Sequence, residues 1–372
     1  MRVIIFIISI LFIGITNSQI PNLDRSDRLD VLTWNIEWFG DANNGPLNEQ
    51  TQLNNAVNII NSTNCDIIGL CEISSISYWN SLLNSCSNYS GVISTWSQTQ
   101  KTALLFKKSE YKLVYSKHIL DNYEYEFGGG RLPLEVCLVS NNKNNSIDTL
   151  RVWVIHMKAN TGSSSSKITA YNRRYDASIL LKSHLASFGS DNKGLVIGDW
   201  NDDFDQSILS GYNTPYGNWL KDTNFTVATY SLTVNGDRST AGYPNMIDHI
   251  VANAGLKGTC VIDSSSVLYA NNWISGFSNN TSDHYPVYAK FRNERKPINT
   301  VSTLKKSQGS IYRDQSGRWF LNGNDISNCI ASIYLIDGRK IYSGKIEKFE
   351  NRYGNQVFLL KISDKIYRII EI

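Results

Sequence analysis

This sequence predicts an α/β domain followed by a small all-β module, and three observations carry that prediction. Apolar runs recur that end abruptly on an acid, an amide or a histidine, as in Leu195-Val196-Ile197-Gly198-Asp199-Trp200-Asn201-Asp202. Such runs read as buried strands with a polar tip. Stretches with apolar residues at helical spacing separate them, so helices cover a sheet. After Arg292 that pattern stops, and short strand-like runs with turn signals take over.

The chain starts Met1-Arg2, continues with an apolar run interrupted only by Ser9 and Gly14, and turns polar at Thr16-Asn17-Ser18. One positive charge, a short apolar core and small residues at its end describe a secretory leader over 1–18, too short for a membrane span. The expected protein is secreted, extracellular or at the cell surface, with no stable membrane anchor, and a monomer. Net charge is +3, of which Arg2 contributes one. A polyanionic partner would therefore be met by a local basic patch rather than by a global field. Six cysteines, at 65, 71, 86, 137, 260 and 329, form no CxxC pair, which argues against a thiolate metal site. Cys65 and Cys86 flank one strand–helix unit and are expected to form a disulfide; Cys71 and Cys137 lie in apolar strands and read as buried thiols.

The first strand spans 29–40, where Asn35 and Glu37, two apart, share a face. A helix over 47–61 follows from Leu53, Ala56, Val57 and Ile60, and then Asp66-Ile67-Ile68-Gly69-Leu70-Cys71-Glu72 is a buried strand with an acid at its tip. A carboxylate that ends an apolar run has to be solvated, paired or bound to a metal. Strands at 102–106, 111–115 and 134–139 come next, the last after a glycine-rich loop that delivers Arg131. The strand 152–158 ends on His156 and Lys158, and the serine-rich stretch 161–166 is expected to be mobile. A second covering helix over 168–188 is marked by Ile168, Tyr171, Tyr175, Ile179, Leu180 and Leu185. Beyond the central strand, Asp248 lies in an apolar run at 245–251, and Asp283-His284 precedes a strand at 287–291.

Taken singly, each polar residue has an ordinary account: an Asx turn at Asp199, a surface acid at Glu72, a cap at Asp283, a satisfied turn histidine at His284. Six strand ends with such residues in one alternating α/β chain are better explained by convergence on one rim.

The set Trp34-Asn35-Ile36-Glu37, Cys71-Glu72, His156, Gly198-Asp199-Trp200-Asn201, Ile247-Asp248 and Ser282-Asp283-His284-Tyr285-Pro286-Val287 resembles the endonuclease/exonuclease/phosphatase superfamily, the fold of deoxyribonuclease I. The resemblance implies a four-layered α/β sandwich, two packed mixed sheets flanked by helices, over 27–292. It implies that Glu72, helped by Asn35 and Asp283, holds a divalent cation, Mg2+ first and Mn2+ or Ca2+ as alternatives; Glu37, on the face of Asn35, is counted with this metal group. It implies His284 as general base oriented by Asp248, with Asp199 and Asn201 positioning water and phosphoryl oxygens and His156 stabilising or protonating developing charge. Phosphodiester cleavage asks for such a set: a hard cation, a base of near-neutral pKa and donors aimed at phosphate oxygens.

Arg131-Leu132-Pro133 resembles the superfamily's Arg-x-Pro phosphate-contact element. Arg131, Lys158 and Arg173 are the expected substrate-binding residues, with Lys167, Arg174 and Arg238 as further members of a basic patch; a solvated helix face is the alternative for Arg173 and Arg174. The deoxyribonuclease branch has an arginine shortly after its metal glutamate, whereas Ile73-Ser74-Ser75 stands here. A linker is expected over 293–310 and a β module over 311–372, with a hairpin at Asp337-Gly338-Arg339-Lys340. The module resembles the sorting domain of the type IX secretion system, implying a secretion partner; an accessory β-sandwich is the alternative.

The expected activity is a secreted metal-dependent nuclease on DNA, with RNA as a second nucleic-acid substrate. Alternatives are a phospholipid-headgroup or small-molecule phosphoesterase, suggested by the aromatic loop Tyr269, Trp273, Ile274 and Phe277, and a non-catalytic binding module.

Overall fold

The computed structural model describes residues 19–25, 28–141, 149–188, 192–258, 264–292, 311–313, 318–321, 324–335, 340–349, 358–362 and 365–369. The expected leader and linker lie outside the described residues. In chain order the large domain runs β1 (Arg28–Phe39), α1 (Glu49–Thr63), β2 (Ile67–Ile73), α2 (Ile76–Ser85), β3 (Tyr89–Ile93), β4 (Lys101–Lys107), β5 (Tyr111–His118), β6 (Leu134–Ser140), β7 (Thr149–His156), α3 (Ser164–Ala186), β8 (Lys193–Asp199), β9 (Phe225–Val227), β10 (Asp248–Asn253), β11 (Ser266–Val267) and β12 (Val287–Arg292), with short helical turns between the later strands.

These strands form two six-stranded sheets of order β11-β12-β1-β2-β4-β3 and β5-β6-β7-β8-β10-β9. Both are mixed: β1 runs parallel to β2 and β7 parallel to β8, and their other pairings are antiparallel. The sheets meet through Val31, Ile67 and Leu104 of one and Val152, Val154 and Ile197 of the other. At Gly69 they come so close that a Cβ would stand 2.6 Å from Ile197 Cδ1. The opposite faces are covered by helices. Leu32, Trp34 and Leu70 pack under Leu53, Ala56, Ile60 and Leu82, while Trp153, Ile155 and Val196 pack under Ala177, Leu181 and Leu185. Strand alternation thus sends neighbouring residues to two different cores, and the expected four-layered sandwich is the observed fold.

Local details correct the sequence reading. The α1 helix begins two residues inside its expected start, because the Asn48 side chain caps it by accepting from Thr51 N at 2.8 Å, which leaves Leu47 89% exposed. The stretch 161–166 is not all loop: Ser163 accepts from Ser166 N at 3.2 Å and starts α3 at Ser164. The buried stripe of α3 is Ala170, Arg174, Ala177, Ser178, Leu181 and Leu185, while Ile168, Tyr175 and Ile179 are exposed. The expected Cys65–Cys86 bridge is absent; both thiols are buried and free, Cys86 closing the C-terminus of α2.

The C-terminal strands are β13 (Ile311–Arg313), β14 (Trp319–Leu321), β15 (Asn324–Asp325), β16 (Ile330–Leu335), β17 (Lys340–Lys345), β18 (Phe358–Ile362) and β19 (Lys365–Ile369). They make a three-stranded antiparallel sheet and a four-stranded sheet of order β17-β16-β18-β19, around a core of Trp319, Ile333, Ile346, Phe349 and Leu360. The β16–β17 pairing is the expected hairpin, whose 337–339 turn lies outside the described residues. Among the described residues no helix is long and apolar enough to cross a membrane.

Candidate active site

The polar tips converge on one open cleft of about 870 Å³, lined by Glu72, His156, Asp199, Asn201, Asp283 and His284, with Arg131 and Lys158 beside them. Six non-glycine residues with positive φ occur among the described residues, and Glu37, Trp38, Glu72 and Asn201 are four of them. Left-handed backbone costs such residues roughly 1–3 kcal/mol each and gathers where a structure needs a side chain aimed against its local preference. Gly198, at φ +144, has no alternative: a Cβ there would stand 2.0 Å from Ile155 O. That close approach between β7 and β8 sets His156 level with Asp199.

The kink at Glu37 and Trp38 shifts the β1–β2 register between Asn35 and Phe39, so strict alternation does not place Glu37. Glu37 reaches the site through the bulge instead, its Oε2 accepting from Asp283 N at 2.9 Å. Asn35 is the hub of the carboxylates: its Nδ2 donates to Glu72 Oε1 at 2.9 Å and to Asp199 Oδ2 at 3.1 Å. Asp199 also accepts from Asn201 Nδ2 and from Asn201 N, at 2.9 and 2.8 Å. Ser282 donates to Asn35 O at 2.7 Å and accepts from His284 N at 2.9 Å, and Trp34 Nε1 donates to His284 O. The histidine is thereby pinned to β1.

His284 and Asp248 form a pair, Nδ1 to Oδ2, at 2.7 Å. Burial opposes charge on that ring, but Asp248, Asp283 and Asp199 outweigh it and hold the His284 pKa well above its ordinary value. His156 is the reverse case. Burial, then Arg131, His284 and Lys158, push its pKa well below the ordinary value, which disfavours the imidazolium form. Arg131 Nη1 lies 2.7 Å from His156 Nε2, and its Nη2 donates to Met157 O at 2.9 Å. Burial first, and then Asp248, push Asp199 up to about 7; burial, Asp283 and Glu72 do the same to Glu37.

Those raised acids, together with the buried Asp248 Oδ1 that has no hydrogen-bond partner, are what a bound cation would relieve. Two groups could hold one. Asp199, Asp248 and His284 offer ligand atoms within 4.8 Å of one another; Asp248 Oδ2 and Asp199 carry hydrogen bonds, while Asp248 Oδ1 carries none. Glu37, Glu72 and Asp283 offer oxygens alone, the donor set of a hard divalent cation, although Glu37 Oε2 and both Glu72 oxygens also accept hydrogen bonds.

The remaining expectations divide. Lys167 lines the cleft, whereas Arg173 does not; its Nε donates to Tyr125 O and its guanidinium lies 4.3 Å from the Tyr125 ring. Arg174 is not part of a basic patch: it is fully buried and its Nε and Nη2 donate to Asp202 Oδ2 at 3.0 and 2.8 Å. The aromatic loop packs inward, with Phe277 and Ile274 buried and Tyr269 Oη donating to Asp237 at 2.9 Å. Sequence reasoning missed Ser239, whose Oγ accepts from Ile247 N and Asp248 N, and Gln100, which accepts from Arg131 Nη1 at 3.3 Å. Both lie in polar loop stretches, without the strand-end signal that marked the others.

A family model described as Endonuclease/Exonuclease/phosphatase matches residues 32–284. No curated protein matches the chain. Similar solved structures include D. rerio TDP2 humanized by 14 mutations, at TM-score 0.55 and 16% identity over 72% of this chain and 100% of that one. D. rerio TDP2 complexed with a single-strand DNA product follows, at 0.54 and 15% over 72% and 99%. The endonuclease/exonuclease/phosphatase from Bacteroides vulgatus has TM-score 0.50 and 14% identity over 72% and 99%. At these identities the likeness concerns fold.

Proposed function

The chain belongs to the endonuclease/exonuclease/phosphatase family, and on that premise we propose that it is a divalent-metal-dependent phosphodiesterase that cleaves nucleic acid, DNA first and RNA second. The observation that carries the reading is the His284–Asp248 pair opening onto the cleft that also holds Glu72, Arg131 and Lys158.

Each residue has a separate task. Asp248 fixes the ring of His284 through Nδ1, which aims Nε2 at the attacking water; Asp283 is one of the acids that hold this ring's pKa up, so a cation bound there would favour the neutral ring that takes the proton. Asp199, held from both sides by Asn35 and Asn201, orients that water. His156, its Nε2 accepting from Arg131 Nη1, orients that guanidinium toward the oxygens that gain charge at phosphorus, and Arg131 and Lys158 bind the phosphate oxygens. Glu37, Glu72 and Asp283 would hold the cation, Mg2+ by their oxygen chemistry, with Mn2+ and Ca2+ as alternatives. When bound, the ion supplies positive charge to the phosphate and to the carboxylates that surround His284.

Incubating the protein with plasmid and Mg2+, with and without chelator, tests the proposal. Cleavage only when the ion is free is expected; intact plasmid in both conditions overturns it. Export completes the reading: the 1–18 leader would carry the chain out of the cytoplasm, and the C-terminal β module would serve the secretion machinery.

A further inference from the structure

The cleft has two unlike linings. Near His156 it presents Arg131, Lys158, Lys167 and Gln100, all cationic or amide. Beside Asp283 and His284 it presents Tyr243, 69% exposed. An exposed tyrosine is common on loops; the way this one is held is not. Thr240 pairs with His284 as an isolated β-bridge, and Ala241 N donates to Asp283 O at 2.7 Å. Thr240 Oγ1 then accepts from Tyr243 N at 3.1 Å and donates to Tyr243 O at 3.2 Å. Pro244 follows and restricts the Tyr243 backbone to extended conformations. The chain therefore holds the Tyr243 backbone at the mouth of a polar cleft, tied to the residues that handle the proton, and leaves the residue largely exposed.

An exposed ring on a held backbone next to a phosphate site suits one kind of group, a flat heterocycle close to the phosphate. Stacking of a base on an aromatic side chain is sequence-tolerant, because every base has a π-face. The cationic lining serves the backbone of the same strand. We infer that Tyr243 is the stacking platform for an unpaired nucleobase flanking the scissile phosphate, so that Tyr243 selects nucleic-acid strands over phosphodiesters that lack a base. This rests on the nuclease reading above and narrows its substrate.

The test uses the full chain with Mg2+ and two probes of equal length: a single-stranded DNA oligonucleotide, and the same backbone with abasic spacers in place of nucleosides. The readout is the ratio of kcat/KM for the first over the second. From the usual strength of base–aromatic stacking, a wild-type ratio on the order of tenfold or more is expected. Tyr243→Ala should bring the ratio close to one, and Tyr243→Phe should keep it, since the ring face and not the hydroxyl does the binding. A wild-type ratio near one, or a ratio unchanged in Tyr243→Ala, overturns the inference while leaving the nuclease reading intact. Cleavage of plasmid but of neither probe overturns the inference alone; cleavage of neither plasmid nor probe removes both.

Discussion

β1 and β2 carry acids at both ends, and the two ends are finished differently. At the start of the strands, Asp66 Oδ2 accepts from Asp30 N at 3.0 Å, and Lys107 Nζ lies 3.0 Å from Asp66 Oδ1 and 2.8 Å from Asp24 Oδ1. At the cleft end the acids meet amides and histidines instead: Asn35 and the Trp38 N–H on Glu72, Asn35 and Asn201 on Asp199. Arg131, the nearest fixed cation, turns to His156 and Met157 O. A cluster closed by its own lysine is finished on folding. One closed by amides and a histidine, with no lysine of its own, leaves a place for a cation that arrives later.

The sharpest way to separate the two ends is by activity. His284→Ala should lower kcat on nucleic acid by about 10²–10⁴-fold, the usual cost of losing a general base. Lys107→Met should leave kcat per folded molecule where it was; an equal loss in both variants breaks the comparison.

Stability should respond in the opposite sense. Lys107→Met strands Asp66 at a buried site, and breaking a buried pair costs about 3–5 kcal/mol. The lower figure, about 3 kcal/mol in urea denaturation, is expected because Asp24 is partly solvated. A change below about 1 kcal/mol would mean that the start of the strands is no better closed than the cleft.

The smallest effect is a pH dependence at the closed end. Burial, opposed by the Arg25 N–H and reinforced by Asp66, pushes Asp30 up to about 6, against about 3.9 unfolded. A carboxyl raised in the fold binds protons more tightly there, so its contribution is most favourable at low pH. It is lost as pH rises from about 4 through about 6, and it is flat above. Asp30→Asn stays neutral throughout, so its stability relative to wild type should rise by about 2 kcal/mol between pH 4 and pH 7. A pH-independent difference in denaturation midpoints would show that Asp30 is charged at no cost.

Much of the site was legible in the sequence because its signal is local. An apolar run that stops on Glu72, His156 or Asp199 needs no knowledge of the rest of the chain. What failed depended on distant partners. Arg174 reads as a surface arginine until Asp202, 28 residues away, takes it into the core and rotates the buried face of α3 away from Ile168, Tyr175 and Ile179. The Glu37–Trp38 bulge hides inside a run that alternates cleanly, because positive φ at a non-glycine residue leaves no mark in composition. Cys65 and Cys86 flank one strand–helix unit, and flanking says nothing about whether two thiols face each other.

The most direct measurement is calorimetric titration of Mg2+ into the chelator-treated protein and into Glu72→Gln. Saturable binding by the wild type that the variant loses is the predicted result. Identical heats in the two proteins, or no binding by either, would contradict an acid cluster held open for a cation.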